Sequence, residues 1–139
     1  ATGTGMSAKI STSVGAVGVT AAYVSFNDTS VDDTETAIAL SYSSDMGDFT
    51  VGYGDSSGAK DGSVVSGAYT MALDADTSFS TSYKNAKDAD GDSINQFEMS
   101  ISRSLGGGAS VYIDMANLNG DVDDQKDGTA FGFGTSVAF

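Results

Sequence analysis

The chain has 139 residues, 18 of them Gly, with no Cys, Pro, Trp or His, and a formal charge of −13. Without imidazole or thiolate, no Ser-His-Asp or Cys-His site can be assembled from it, and six Lys and Arg against nineteen Asp and Glu exclude a basic phosphate-binding face and hence nucleic acid. No run of about 18 apolar residues offers a transmembrane helix, and the length suits one domain.

Along the chain apolar residues recur with period two and not at the i, i+3, i+4 spacing of a helix, which predicts an all-β protein. The first segment, Met6–Val14, turns at Gly15-Ala16 into Val17–Phe26, where Val24 and Phe26 break the alternation and predict a bulge or the start of a loop. After Asn27–Asp33 comes Thr34–Ser43, then Asp45-Met46-Gly47 and Phe49–Gly54. Asp55–Gly62 leads to Val64–Leu73, and Asp74-Ala75-Asp76 turns it into Thr77–Lys84. Asn85–Ser93 leads to Asn95–Leu105, and Gly106-Gly107-Gly108 turns it into Ala109–Asn117. Leu118–Gly128 precedes the closing segment, Thr129–Phe139.

These connections alternate in kind. Short turns share one edge of the expected sheet and long acidic loops the other, the asymmetry of transmembrane barrels with short periplasmic turns and longer extracellular loops. With Phe139 at the periplasmic end, every short turn falls on that side and every long loop outside, and the same parity puts Ala1 outside. A complete bacterial barrel has an even number of strands. Nine segments are odd, so the chain is expected to be the C-terminal portion of a single barrel domain, mature or truncated at Ala1 with no signal-type segment before it.

The faces point the same way. In the closing segment Phe131, Phe133, Val137 and Phe139 share one side, and Gly132, Gly134, Ser136 and Ala138 the other. Equivalent outward residues are Ile10 and Val14; Val17, Val19 and Tyr23; Ile38, Leu40 and Tyr42; Phe49, Val51 and Tyr53; and Val65, Tyr69, Met71 and Leu73. Phe79 and Tyr83, then Phe97, Met99 and Ile101, then Val111, Ile113 and Met115 continue the set. Aromatic bands are expected toward the short turns at Tyr42, Phe49, Phe79 and Phe139, and toward the loops at Tyr53, Tyr83, Phe97 and Phe131. Arg103 is an outward cation near the periplasmic end, placed to snorkel to headgroups. The inward residues are small apart from Tyr112 and the charges Lys9, Glu35, Lys84, Glu98 and Asp114. Such residues cannot fill a narrow barrel, so a wide pore is expected, with those five charges on its wall.

The stretch LGGGASVYIDMANLNGD (Leu105–Asp121), with an acidic loop and then GTAFGFGTSVAF (Gly128–Phe139), resembles the C-terminal end of alphaproteobacterial general porins. There a Gly-rich periplasmic turn leads into the penultimate strand and the last strand closes on Phe. The resemblance is strongest from Asn95 onward, and earlier hairpins match in pattern more than in letters. It implies a water-filled outer-membrane barrel of about sixteen strands passing small hydrophilic solutes, usually as a homotrimer among lipid and lipopolysaccharide. It also implies that Phe131, Phe133, Val137 and Phe139 form the terminal signal read by the insertion machinery. The remaining strands would come from a missing N-terminal portion or another chain, and the family's inward constriction loop and its basic cluster have no counterpart here.

No enzyme is expected. Glu98 and Asp114 superficially resemble a hydrolytic carboxylate pair, but no substrate cleft surrounds them, and wall charge is the better reading. No cofactor is required, although the carboxylates Asp88, Asp90, Asp92, Asp121, Asp123 and Asp124 suggest a weak calcium site in the outer loops bridging to lipopolysaccharide phosphates, against solvated loop charge. A non-conducting surface or anchoring barrel is the alternative function. A third reading treats Ala1–Val14 as an arm and closes the other eight segments into a small barrel.

Overall fold

The computed structural model describes residues 4–28, 31–58, 61–120 and 127–138. Among them there is no helix. The strands are β1 Thr4–Val14, β2 Val17–Asp28, β3 Val31–Ser44, β4 Gly47–Ser57, β5 Gly62–Ala72, β6 Thr77–Asp88, β7 Ser93–Gly106, β8 Ala109–Gly120 and β9 Gly128–Val137. They form one sheet in sequence order, each antiparallel to the next, as tight hairpin connections require.

The ladders fix the faces, because directly opposed residues point the same way. One lateral row runs Val17, Tyr42, Phe49, Tyr69, Thr81, Met99, Met115 and Phe131. It starts at the short-turn end of β2 and finishes near the loop end of β9, so the strands are staggered in the manner of a tilted barrel wall. Phe49 and Tyr69 stack in this row with ring centroids 4.3 Å apart. No described side chain is buried, so the sheet has no core of its own. Most of its large apolar side chains lie instead on the outward face, where Phe133 is 88% and Phe131 77% exposed.

Three expectations need correction. Val24 and Phe26 make no bulge: β2 stays in register from Val17 to Asp28, with Val24 opposite Ser7 and Glu35 on the polar face. One half-buried valine on a polar face costs too little to break a ladder. The irregularity falls instead between Ser104 and Gly106, where Leu105 has no opposite number. The long loops are also shorter than expected, because pairing continues to Asp28–Val31, Ser56–Gly62 and Lys87–Ser93. Polar residues carry the ladder beyond the apolar zone, where water solvates both faces. Finally, the arm reading fails. β1 pairs with β2 along its whole length, and among the described residues neither β1 nor β2 contacts β9.

Three of the four short turns, at Gly15, Gly47 and Gly106–Gly108, depend on backbone that only glycine adopts easily. Gly47 has φ +127°, and a Cβ there would collide with the Thr70 carbonyl oxygen and lie 2.8 Å from the Tyr69 ring. Tyr69 Oη also donates to the Met46 carbonyl, clamping the β3–β4 turn against β5. Gly15 has φ +61° but open space around it. Gly47→Ala should therefore cost about 1–3 kcal/mol and Gly15→Ala distinctly less. Urea unfolding in lipid vesicles, read by Tyr fluorescence, would show the difference, and equal midpoints would refute the clamp.

Candidate functional site

The face opposite the apolar one holds all five charges singled out from the sequence. Lys9 opposes Ala22, Glu35 opposes Val24 and Ser56, Lys84 opposes Ser66 and Gln96, Glu98 opposes Ser82 and Ala116, and Asp114 opposes Ser100 and Gly132. They are not one cluster. Glu98 and Asp114 border a common hollow of about 360 Å³ with Thr70 and Ser80, while Glu35 lies at a separate hollow of about 630 Å³ nearer the loops. Glu98 accepts hydrogen bonds from Gln96 Nε2 at 2.7 Å and Ser82 Oγ at 3.4 Å, and Asp114 accepts one from Ser100 Oγ. Both carboxylates are thus held by neutral donors on an open, water-accessible wall.

Tyr112 is the one large aromatic side chain on this face of β8. It lies across Gly134 of β9, where a Cβ would collide with its hydroxyl and ring. The small residue opposite lets the ring lie flat along the wall.

On the outward face Phe131 opposes Met115, Phe133 opposes Ile113 and Val137 opposes Ala109, while Phe139 lies outside the described residues. Toward the loops this face changes from hydrocarbon to amide. Tyr83 Oη donates to Asn95 Oδ1 at 2.7 Å, Asn85 Nδ2 donates to the same oxygen at 2.8 Å, and Asn117 Nδ2 donates to Thr129 Oγ1 at 2.8 Å. The expected loop-side aromatics Tyr83 and Phe97 are direct neighbours just before this change. The alternating count alone reads these Asn as loop or strand end. Their pairing across the ladder appears only once the register is known.

At the opposite edge Arg103 finds a protein partner. Its Nη1 lies 3.3 Å from Asp74 Oδ2 and donates to Thr77 Oγ1 at 2.8 Å, so the guanidinium is held by the β5–β6 turn. The Ser104 amide donates to the Asp76 carbonyl at 2.8 Å beside it. Asp74 Oδ1 accepts the Asp76 and Thr77 amides, each at 2.8 Å.

In the outer loops Asp88 Oδ1 accepts the Asp90 amide at 3.1 Å and the Asp92 amide at 3.0 Å. Asp121, Asp123 and Asp124 lie outside the described residues. Among the described residues no group of three or more carboxylates converges as a metal site would.

The Asp76 amide, the Thr77 hydroxyl and amide and the Arg103 charge hold the Asp74 carboxyl below the usual carboxylate range, the Asp76 hydrogen bond most strongly. With the folded value lowered, the turn's contribution to stability is present above the ordinary carboxylate range and is lost as pH falls through the lowered value. In an NMR titration in micelles, Asp74 should titrate below free aspartate. Arg103→Ala should raise its midpoint only partway, because the stronger hydrogen bonds remain, and a midpoint at the free value in the unaltered protein would contradict this geometry.

A family model described as Gram-negative porin matches residues 1–124, which takes in β1 to β8 and stops before β9. No curated protein and no solved structure matches the chain.

Proposed function

Because this chain belongs to the Gram-negative porin family, we propose that its sheet is a stretch of the wall of a water-filled outer-membrane channel through which ions and small hydrophilic solutes diffuse passively. The segregation of the two faces carries this reading. Most large apolar side chains stand exposed on one side, while the other is mainly Ser, Thr, Gly and Ala with a few solvated charges and an occasional Val, Ile or Leu. In water the first face would be an aggregation surface, whereas in hydrocarbon it is the solvated side. The family match supports an outer-membrane setting.

Lys9, Glu35, Lys84, Glu98 and Asp114 are then pore-wall charges, and diffusion through such a pore calls for no bond-making group. Among the described residues β1 and β9 each pair on one side only. Unpaired strand edges are costly in lipid, so further strands of the same barrel complete the ladder at both edges. We assign the chain to the C-terminal portion of that barrel, with Phe131, Phe133, Val137 and Phe139 as the terminal insertion signal and a homotrimer as the assembly.

Reconstitution in planar bilayers tests the channel. Stepwise ohmic conductance is expected, and stable insertion without steps would favour a non-conducting anchoring barrel instead. The face assignment has its own check. Phe133→Lys should cost about 2–4 kcal/mol of folding stability in lipid, and Ser136→Lys on the inner face far less. Heat-modifiable gel mobility after folding into vesicles gives the folded fraction, and equal losses would count against a lipid-facing Phe133.

A further inference from the structure

One lateral row of the inner face contradicts the polar character of the rest. From β2 to β7 the opposed residues are Ala22, Ala37, Gly54, Val64, Ala86 and Ile94, an apolar stripe across six strands. The next row toward the loops carries Glu35 and Asp88. The next row toward the turns carries Lys84. The stripe is also smoothed. A Cβ at Gly54 would come within 3.0 Å of Val64 Cγ1, and one at Gly120 within 3.3 Å of Ile94 Cγ1, so both large side chains lie over glycines and not upright in the lumen.

On β3 to β7 this stripe is the floor of the 630 Å³ hollow, with five carboxylates, Glu35, Asp55, Asp61, Asp88 and Asp92, against the single ammonium of Lys87 at its margin. A hollow of that size takes a small organic molecule. Its floor offers contact to an apolar body and nothing for a bare ion. Carboxylates outnumber the Lys87 ammonium on the loop side and the Lys84 ammonium stands on the turn side, so an elongated solute is oriented with its positive end toward the loops.

We propose that the stripe and its acidic margin make the loop-side vestibule a transient binding zone for organic cations with an apolar body, which this wall passes in preference to anions of the same size. The proposal rests on the channel reading and specifies the solute class that the wall favours. The apolar floor supplies attraction that a fixed-charge wall alone does not, so the preference extends beyond the sign of the charge.

The test is current block in planar bilayers containing the reconstituted protein in KCl, with benzyltrimethylammonium, tetramethylammonium or benzenesulfonate added on the loop side. Benzyltrimethylammonium should reduce the potassium current at the lowest concentration. Val64→Ser and Ile94→Ser should each raise its half-blocking concentration by about threefold or more through lost apolar contact. Glu35→Gln should also raise it, and Ser110→Ala, on the same face but away from the stripe, should match the unaltered protein. Should Val64→Ser fail to insert, Ile94→Ser and Glu35→Gln decide. Equal potency of benzenesulfonate, equal potency of tetramethylammonium, or block untouched by the stripe substitutions would overturn the proposal while leaving the channel reading intact. Absence of any conductance would overturn both.

Discussion

Every backbone N–H and C=O that crosses hydrocarbon needs a partner within the protein, because the bilayer core offers none. That requirement explains why a chain without a single buried side chain among its described residues adopts one definite structure. The ladder supplies the order that a packed core supplies elsewhere. It runs in register for the full length of almost every neighbouring pair, with one slip at Leu105, beside the three glycines of the last short turn. It also continues past the apolar zone, so the hairpins rise toward the loops as paired backbone.

Once the ladder is fixed, side chains answer only to the medium they face. Outward residues are large and apolar until the amides of Asn85, Asn95 and Asn117 take over, and these bond to one another or to adjacent polar groups as the surroundings turn from lipid to water. Inward, bulk is tolerated where a glycine lies beside it, as with Tyr112 over Gly134, Val64 against Gly54 and Ile94 against Gly120. The wall stays thin because large and small residues are paired across strands. Charge follows the same logic: Arg103 reaches the carboxylate of the neighbouring turn, and Glu98 and Asp114 take neutral donors from their own face.

Much of this was legible from period-two alternation alone. The number of strands, the short turns and the side on which each named apolar residue stands follow from that period, since a face is a parity and survives an error of a residue or two at a strand end. Strand ends were less legible. Asn85 and Asp88 look like loop residues because they are polar, yet they pair, since alternation records hydrophobicity and not hydrogen bonding. Val24 misled in the opposite sense, being apolar on a face that accepts an occasional valine. The inner stripe could not be seen in any single segment. Each strand contributes one ordinary Ala, Gly, Val or Ile, and only the inter-strand register lines them up.

Strand stagger has a consequence for anything moving along that stripe. Strands in such walls tilt by about 35–45° from the barrel axis, and the hydrogen-bonded rows incline from the membrane plane by the same angle. The stripe therefore begins at Ile94, at the loop end of β7, and passes mid-strand at Ala37 in β3. It is a segment of screw thread and not a ring. In the proposed channel a solute keeping its apolar side against it would descend only by turning about the pore axis, so its rotation and translation would be coupled, whereas a hydrated ion would pass straight through.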